Sequence, residues 1–121
     1  MDKLFVYGTL RPGSSTEEAA WLAANARLVG AAQIRGRLFR VTHYPALTAP
    51  LNHDQWVRGD VFDGVTAAML ERLDTYEGAE YERQPAEVTM EDGTTLTAYL
   101  YRYVQPTDEL ELLPSGDWTL P

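Results

Sequence analysis

This chain of 121 residues contains no cysteine. The absence excludes disulfides, thiolate metal sites and a cysteine nucleophile together, and it favours a reducing compartment. Long apolar runs are also missing: Met-Asp-Lys precedes a short strand-like stretch, without a signal-peptide core or a run of membrane-spanning length. We therefore expect a cytoplasmic protein with no membrane partner, folded as a single domain over residues 1–121.

Basic residues and histidines are scarce. Lysine and arginine together number 10 against 18 aspartates and glutamates, which gives a formal net charge of −8. This charge repels the phosphate backbone of nucleic acids unless a local basic patch intervenes. The best candidate patch is Arg35, Arg37 and Arg40, and the first two alternate along one predicted strand as on a solvated face. His43 and His53 lack helical metal-ligand spacing. We expect no nucleic-acid partner, no metal and no other cofactor.

Two helices are predicted from capping signals and apolar periodicity. Ser15, followed three positions later by Glu18, forms a capping box ahead of an alanine-rich helix that ends near Asn25. A second helix covers residues 67–76 behind a threonine cap, and Gly78 is placed to end it.

Alternating or continuous apolar runs predict the strands of a sheet. The predicted strands are 4–7, 33–41, 56–65, 84–90 and 95–104. Two prolines within residues 42–50 predict an irregular segment, and Asp92-Gly93 predicts a tight hairpin turn. The last strand carries Tyr99, Tyr101 and Tyr103 on one face, which is therefore aromatic. The expected fold class is α+β: a small mixed, mostly antiparallel curved sheet or barrel with two helices.

Glu77 is a carboxylate at an apolar position. Met69, Leu70 and Leu73 follow the spacing of one buried helical stripe, and Glu77 lies four residues beyond Leu73. A glutamate on that face, at the negative end of the helix dipole, has a raised proton affinity, as catalytic acids and bases often do. The alternative is that the helix frays before this position and that Glu77 faces water.

The tetrapeptide Tyr7-Gly8-Thr9-Leu10 ends the first strand abruptly. One interpretation is simple turn chemistry, because glycine adopts backbone angles that other residues avoid. The other is that the main-chain N–H groups of this turn are themselves the functional groups.

Four stretches, taken together, resemble a known family. They are "FVYGTLRPG" near the N-terminus, "GDVF" at Gly59–Phe62, "LDTYEGAEYERQ" at Leu73–Gln84 and "SGDW" near the end. They are similar to the gamma-glutamylcyclotransferase-like family, and most similar to its branch containing gamma-glutamylamine cyclotransferase. The resemblance runs in order over nearly the whole chain and implies a small mixed α/β barrel.

The resemblance implies a reaction and a site. Tyr7, Gly8, Thr9 and Leu10 would form a backbone cradle for the glutamyl group, and Glu77 would be the general acid and base. The substrate's α-amine would attack its own gamma-glutamyl amide carbonyl, giving 5-oxoproline and a free amine or amino acid without any cofactor. The implied partner is thus a small gamma-glutamyl molecule.

Several tyrosines are further candidates for the pocket. Tyr44 would lie over the site, although a rigid loop explains it equally well. Tyr81 and Arg83 would help to close the pocket, or Arg83 would pair with one of the many acids. Tyr101 or Tyr103 would face the pocket or pack within the barrel.

Two rival functions remain open. One is a non-catalytic metabolite-binding or interaction module that keeps the pocket, although binding alone requires the cradle more than the base. The other is an amide hydrolase, which would need a positioned water and would release glutamate rather than 5-oxoproline.

Overall fold

A computed structural model describes residues 2–119 of the chain. Their helices and strands are, in order, β1 (Asp2–Val6), α1 (Glu17–Asn25), β2 (Arg27–Arg35), β3 (Arg37–Val41), β4 (Tyr44–Thr48), β5 (Trp56–Val65), α2 (Ala67–Glu77), β6 (Tyr81–Met90), β7 (Thr95–Tyr103) and β8 (Glu111–Leu112). Within this range, neither helix has the length and apolar character needed to cross a membrane.

Five strands form a closed barrel in the order β1-β5-β2-β6-β7. The barrel closes where β1 runs parallel to β7, with Leu4 beside Tyr99, while its other strand pairs are antiparallel. A smaller sheet, ordered β4-β3-β8, is also antiparallel. The predicted α+β class, with a mostly antiparallel barrel and two helices, is confirmed.

Strand alternation separates an aliphatic interior from an outer face that the helices cover. Val61 and Leu100 point into the barrel and are fully buried there. The aromatic face of β7 lies outside this interior, where Tyr101 packs with Leu70 and Leu73 of α2. Burial of this helix stripe holds α2 against the barrel.

The structure corrects the prediction of one strand over residues 33–41. The strand is interrupted at Gly36, so that β2 belongs to the barrel and β3 to the small sheet. A Cβ atom at Gly36 would lie 2.8 Å from the carbonyl oxygen of Thr48, so the passage of the chain from one sheet to the other requires glycine at this position. Arg35 and Arg37 therefore lie on different sheets, and their alternation does not define one face.

The irregular segment predicted at residues 42–50 is also wrong, because Tyr44–Thr48 form β4. Pro45 pairs with Arg40 of β3, yet β4 is an edge strand of its sheet. An edge strand tolerates proline because one of its sides needs no N–H donor.

Helix boundaries agree with the sequence to within one residue. The cap of α1 is Thr16 rather than Ser15, since the Thr16 hydroxyl accepts a hydrogen bond from the Ala19 N–H at 3.1 Å. Thr66 caps α2, which extends through Glu77, and Gly78 follows with a φ of 83°.

Packing of α2 is testable at Leu73, which is 0% exposed. We expect Leu73→Ala to lower the free energy of unfolding by about 2–5 kcal/mol, because it removes buried surface and leaves a cavity. The control is Glu71→Ala at an exposed position of the same helix, which should change it by less than about 0.5 kcal/mol. Equal effects in urea denaturation would contradict this packing.

Candidate active site

A cavity of about 30 Å³ lies between the turn that follows β1 and the C-terminal end of α2. Its wall comprises Phe5, Val6, Tyr7, Gly8, Thr9, Leu10, Tyr44, Pro45, Glu77, Tyr81 and Tyr101. The structure thus brings together the turn, Glu77 and three of the four candidate tyrosines. The fourth, Tyr103, does not line the cavity and instead packs edge-on against Tyr81, with ring centres 5.4 Å apart.

The turn holds its carbonyl groups but leaves its N–H groups available. The Gly8 carbonyl accepts a hydrogen bond from the Arg11 N–H at 3.0 Å, and the Thr9 carbonyl accepts one from the Thr16 hydroxyl at 2.8 Å. Within residues 2–119, the N–H groups of Gly8, Thr9 and Leu10 find no hydrogen-bond acceptor. Consecutive free main-chain donors along a cavity wall are suited to bind a carboxylate or an oxyanion.

Tyr44 and Pro45 of β4 form the roof of the cavity. Pro45 packs directly on Gly8, where an added Cβ would lie only 2.1 Å from the proline Cγ. The Tyr81 hydroxyl donates a hydrogen bond to the Pro45 carbonyl at 2.8 Å, which attaches the roof to β6. Tyr44 is 53% exposed at the outer side of this roof.

Glu77 is the last residue of α2 and its carboxyl group is largely buried. Burial raises the pKa of this carboxyl from 4.5 to about 7. No other residue in the described part of the chain makes a hydrogen bond or ion pair with its side chain. A carboxyl held in this way can both accept and return a proton near neutral pH.

Two buried tyrosines border the cavity as neutral hydroxyl donors. The Tyr7 hydroxyl donates to the Tyr101 carbonyl, and burial together with the nearby Glu77 charge raises the pKa of Tyr7. The Tyr101 hydroxyl donates to Asp74 Oδ1 at 2.6 Å, and burial also raises the pKa of Tyr101. Both side chains therefore remain protonated at neutral pH.

Sequence reasoning missed the part that Asp74 plays beside the cavity. Asp74 was not among the candidate site residues, yet it accepts the hydrogen bond of the Tyr101 hydroxyl and forms an ion pair with Arg83, with Nε 3.2 Å from Oδ1. This ion pair agrees with the alternative that Arg83 pairs with an acid rather than closing the pocket. A signal existed, because Asp74 precedes Glu77 by three positions and must lie near it on the helix surface.

Tyr76 of α2 contacts the turn, which the sequence did not predict. Its hydroxyl lies 3.0 Å from the Thr9 hydroxyl, and this hydrogen bond connects α2 to the turn.

Residues 2–119 contain no group of three histidine, aspartate or glutamate side chains that could hold a metal ion.

Comparison with known proteins identifies similar chains. The family described as "Gamma-glutamyl cyclotransferase, AIG2-like" matches residues 4–120. The gamma-glutamylcyclotransferase family protein YtfP of Escherichia coli is 36% identical over 119 residues, covering 96% of this chain and 95% of YtfP.

Solved structures share the fold. The crystal structure of an AIG2-like protein from Mus musculus aligns with a TM-score of 0.78 at 23% identity, over 94% of this chain and 86% of that one. YkqA of Bacillus subtilis aligns with a TM-score of 0.77 at 24% identity, over 97% of this chain. The present chain spans only 39% of YkqA.

The raised pKa of Glu77 makes stability depend on pH. Because the folded carboxyl titrates near 7 and the unfolded one near 4.5, the contribution of Glu77 to stability is fully present below about pH 4.5 and is lost as the pH rises to about 7. Since glutamine does not ionise, the Glu77→Gln variant should lose about 3 kcal/mol less than the wild type between about pH 4.5 and 8.

The measurement is urea denaturation at both pH values. The matched control is Glu71→Gln, which removes an exposed carboxyl from the same helix and should follow the wild type. Parallel pH profiles for the wild type and Glu77→Gln would show that the buried carboxyl does not titrate as expected.

Proposed function

The chain belongs to the AIG2-like gamma-glutamyl cyclotransferase family, and from that premise we propose that it is an active enzyme that cyclises a gamma-glutamyl compound to 5-oxoproline. The observation that carries this proposal is the buried, unpaired carboxyl of Glu77 in the same cavity as the free N–H groups of Gly8, Thr9 and Leu10. We further propose a gamma-glutamylamine as substrate, following the resemblance of the motifs to that branch.

The substrate supplies its own nucleophile. The ionised Glu77 carboxylate takes a proton from the substrate's α-ammonium group, and the resulting amine attacks the side-chain amide carbonyl to form the C–N bond of a five-membered lactam. Glu77 gives this proton to the departing nitrogen as the original amide C–N bond breaks, and it then transfers the second excess proton from the lactam nitrogen to the released amine, which leaves as an ammonium ion. Both protons that leave the attacking nitrogen thus reach the departing nitrogen through one carboxyl group, so this reaction needs no water, metal or covalent enzyme intermediate.

The pKa of Glu77 suits these proton transfers. An ordinary glutamate, near 4.3, is poorly matched to an α-amine near 7.7–8.0, whereas a carboxyl with a pKa of about 7 lies close to it. The mismatch that opposes proton transfer is then small in both directions. Burial of Glu77, which is unfavourable for an ionised carboxylate, therefore supports its proposed role.

The turn and roof complete the proposed site. Free N–H groups of the turn hold the substrate's carboxylate or its developing oxyanion without any change in protein charge. A cavity of about 30 Å³ has room for only a few waters, so it must widen to admit a glutamyl group. Its walls would then hold the substrate near the conformer that closes the ring.

Turnover provides the direct test of Glu77. Replacement by glutamine keeps the shape but removes the base, so Glu77→Gln should reduce 5-oxoproline release by at least about 10²–10⁴-fold. The assay uses a panel of gamma-glutamyl amines and amino acids, with the affinity for 5-oxoproline measured alongside. Affinity should be nearly unchanged, and Glu71→Gln should retain full turnover.

Product analysis separates the proposal from its rivals. Near-native cyclisation by Glu77→Gln would exclude this residue as the base. Release of free glutamate in place of 5-oxoproline would indicate hydrolysis. Binding of 5-oxoproline without turnover of any compound in the panel would favour the binding module.

The cradle is tested at Gly8. A valine there must displace Pro45, because even a Cβ atom would lie 2.1 Å from the proline ring. We expect Gly8→Val to weaken 5-oxoproline binding at least about tenfold, and Thr9→Ser, which keeps the backbone and the hydroxyl, to be mild. Titration calorimetry of both variants decides, since equal tolerance of the two changes would contradict a backbone cradle.

A further inference from the structure

Three charged residues from the resembling motifs meet at one place outside the cavity. Arg11 follows the turn directly, Asp60 lies in β5, and Asp117 lies in the segment after β8. Arg11 Nε is 2.8 Å from Asp60 Oδ2, and Arg11 Nη1 is 3.0 Å from Asp117 Oδ1. The three side chains are only 18%, 15% and 12% exposed. The proposed reaction uses none of them.

The backbone at both aspartates is held in place by hydrogen bonds and close packing. Asp60 is paired with Val6, the last residue of β1. Asp117 follows Gly116, whose carbonyl accepts a hydrogen bond from the Arg58 N–H at 2.7 Å. A Cβ atom at Gly116 would lie 1.9 Å from the Trp56 carbonyl oxygen, so this segment is packed directly against β5.

Arg11 joins this support to the turn. Its N–H closes the turn on the Gly8 carbonyl, while its guanidinium is held by two carboxylates from distant parts of the chain. Displacement of the guanidinium would move the end of the turn and so redirect the three free N–H groups. A planar guanidinium can bridge two carboxylates at fixed angles, which the point charge of a lysine cannot reproduce.

We infer that Arg11 is a positioning residue for substrate binding, which acts by clamping the turn to Asp60 and Asp117. Its role in binding rests on the proposed function. The segment after β8 is then part of the binding apparatus, although it does not line the cavity. The hydrogen bonds of Thr9 with Thr16 and Tyr76 remain when Arg11 is replaced, so we expect the turn to shift rather than to unfold.

The test compares Arg11→Met, Arg11→Lys and Asp117→Asn in steady-state assays of 5-oxoproline release. Arg11→Met should raise KM and the Kd for 5-oxoproline about tenfold, with kcat within about twofold. The pH midpoint of kcat/KM should not move, because Glu77 is untouched. Arg11→Lys and Asp117→Asn should raise KM by smaller factors.

A matched control is available at Arg40, which contacts the same C-terminal segment but not the turn. Its guanidinium lies 4.9 Å from the Trp118 ring centre, and it forms an ion pair with Glu111. Arg40→Met should leave KM unchanged. If it raised KM as much as Arg11→Met does, a clamp specific to the turn would be excluded.

The split between KM and kcat separates positioning from stability. A purely structural role would reduce the folded fraction and therefore lower kcat at constant KM, which would overturn the inference. If Arg11→Met fails to fold, Arg11→Lys and Asp117→Asn decide, and an unchanged KM in both would overturn it equally.

Amide hydrogen exchange provides a readout that does not require turnover. Exchange at the Arg11 N–H, which donates to the Gly8 carbonyl and closes the turn, should accelerate about tenfold in Asp117→Asn and remain unchanged in Arg40→Met. If the wild type proves inactive on every gamma-glutamyl compound, the proposed function fails, and 5-oxoproline affinity and exchange still decide whether the clamp fixes the turn. If the wild type is active but the Arg11 and Asp117 variants show unchanged KM and exchange, the inference about Arg11 is wrong and the proposed function stands.

Discussion

The arrangement of the cavity depends on the burial of one face of α2 against the outside of the barrel. Leu70 and Leu73 are almost fully buried there, and their contacts fix the rotation of the helix about its own axis. Rotation by about 100°, one residue of helix, would turn Glu77 away from β1. Burial of the apolar side chains of α2 therefore keeps the Glu77 carboxyl group away from water, although an ionised carboxylate is more stable in water. The raised pKa of Glu77 follows from that packing.

Local patterns were sufficient for much of the fold and for the position of Glu77. Helical periodicity placed Glu77 on the buried stripe because packing respected the same period that governs the sequence, and the glycine that follows α2 ended the helix where expected. The Asp92-Gly93 signal located the hairpin between β6 and β7 for the same reason, since a tight turn depends on adjacent residues alone.

Features that depend on distant parts of the chain were not accessible to such patterns. The break at Gly36 arises from close contact with Thr48, and the strand around Pro45 exists because it forms an edge beside β3. The acids that hold Arg11 lie 49 and 106 residues away in sequence, so no spacing rule could have paired them. The residues that support the turn are thus harder to predict than the residues that line the cavity.

Closure of the barrel by its first and last strands bears on how the protein is made. Leu4 meets Tyr99, and the Tyr7 hydroxyl binds the Tyr101 carbonyl across 94 residues of chain. During synthesis, β1 can pair with β5 early, but its other edge has no partner until β7 leaves the ribosome. The nascent chain therefore carries an open sheet edge, a known site of aggregation, from the emergence of β5 until that of β7. A chain released before β7 would be an open sheet rather than a smaller barrel, with the outer edges of β1 and β6 left unpaired.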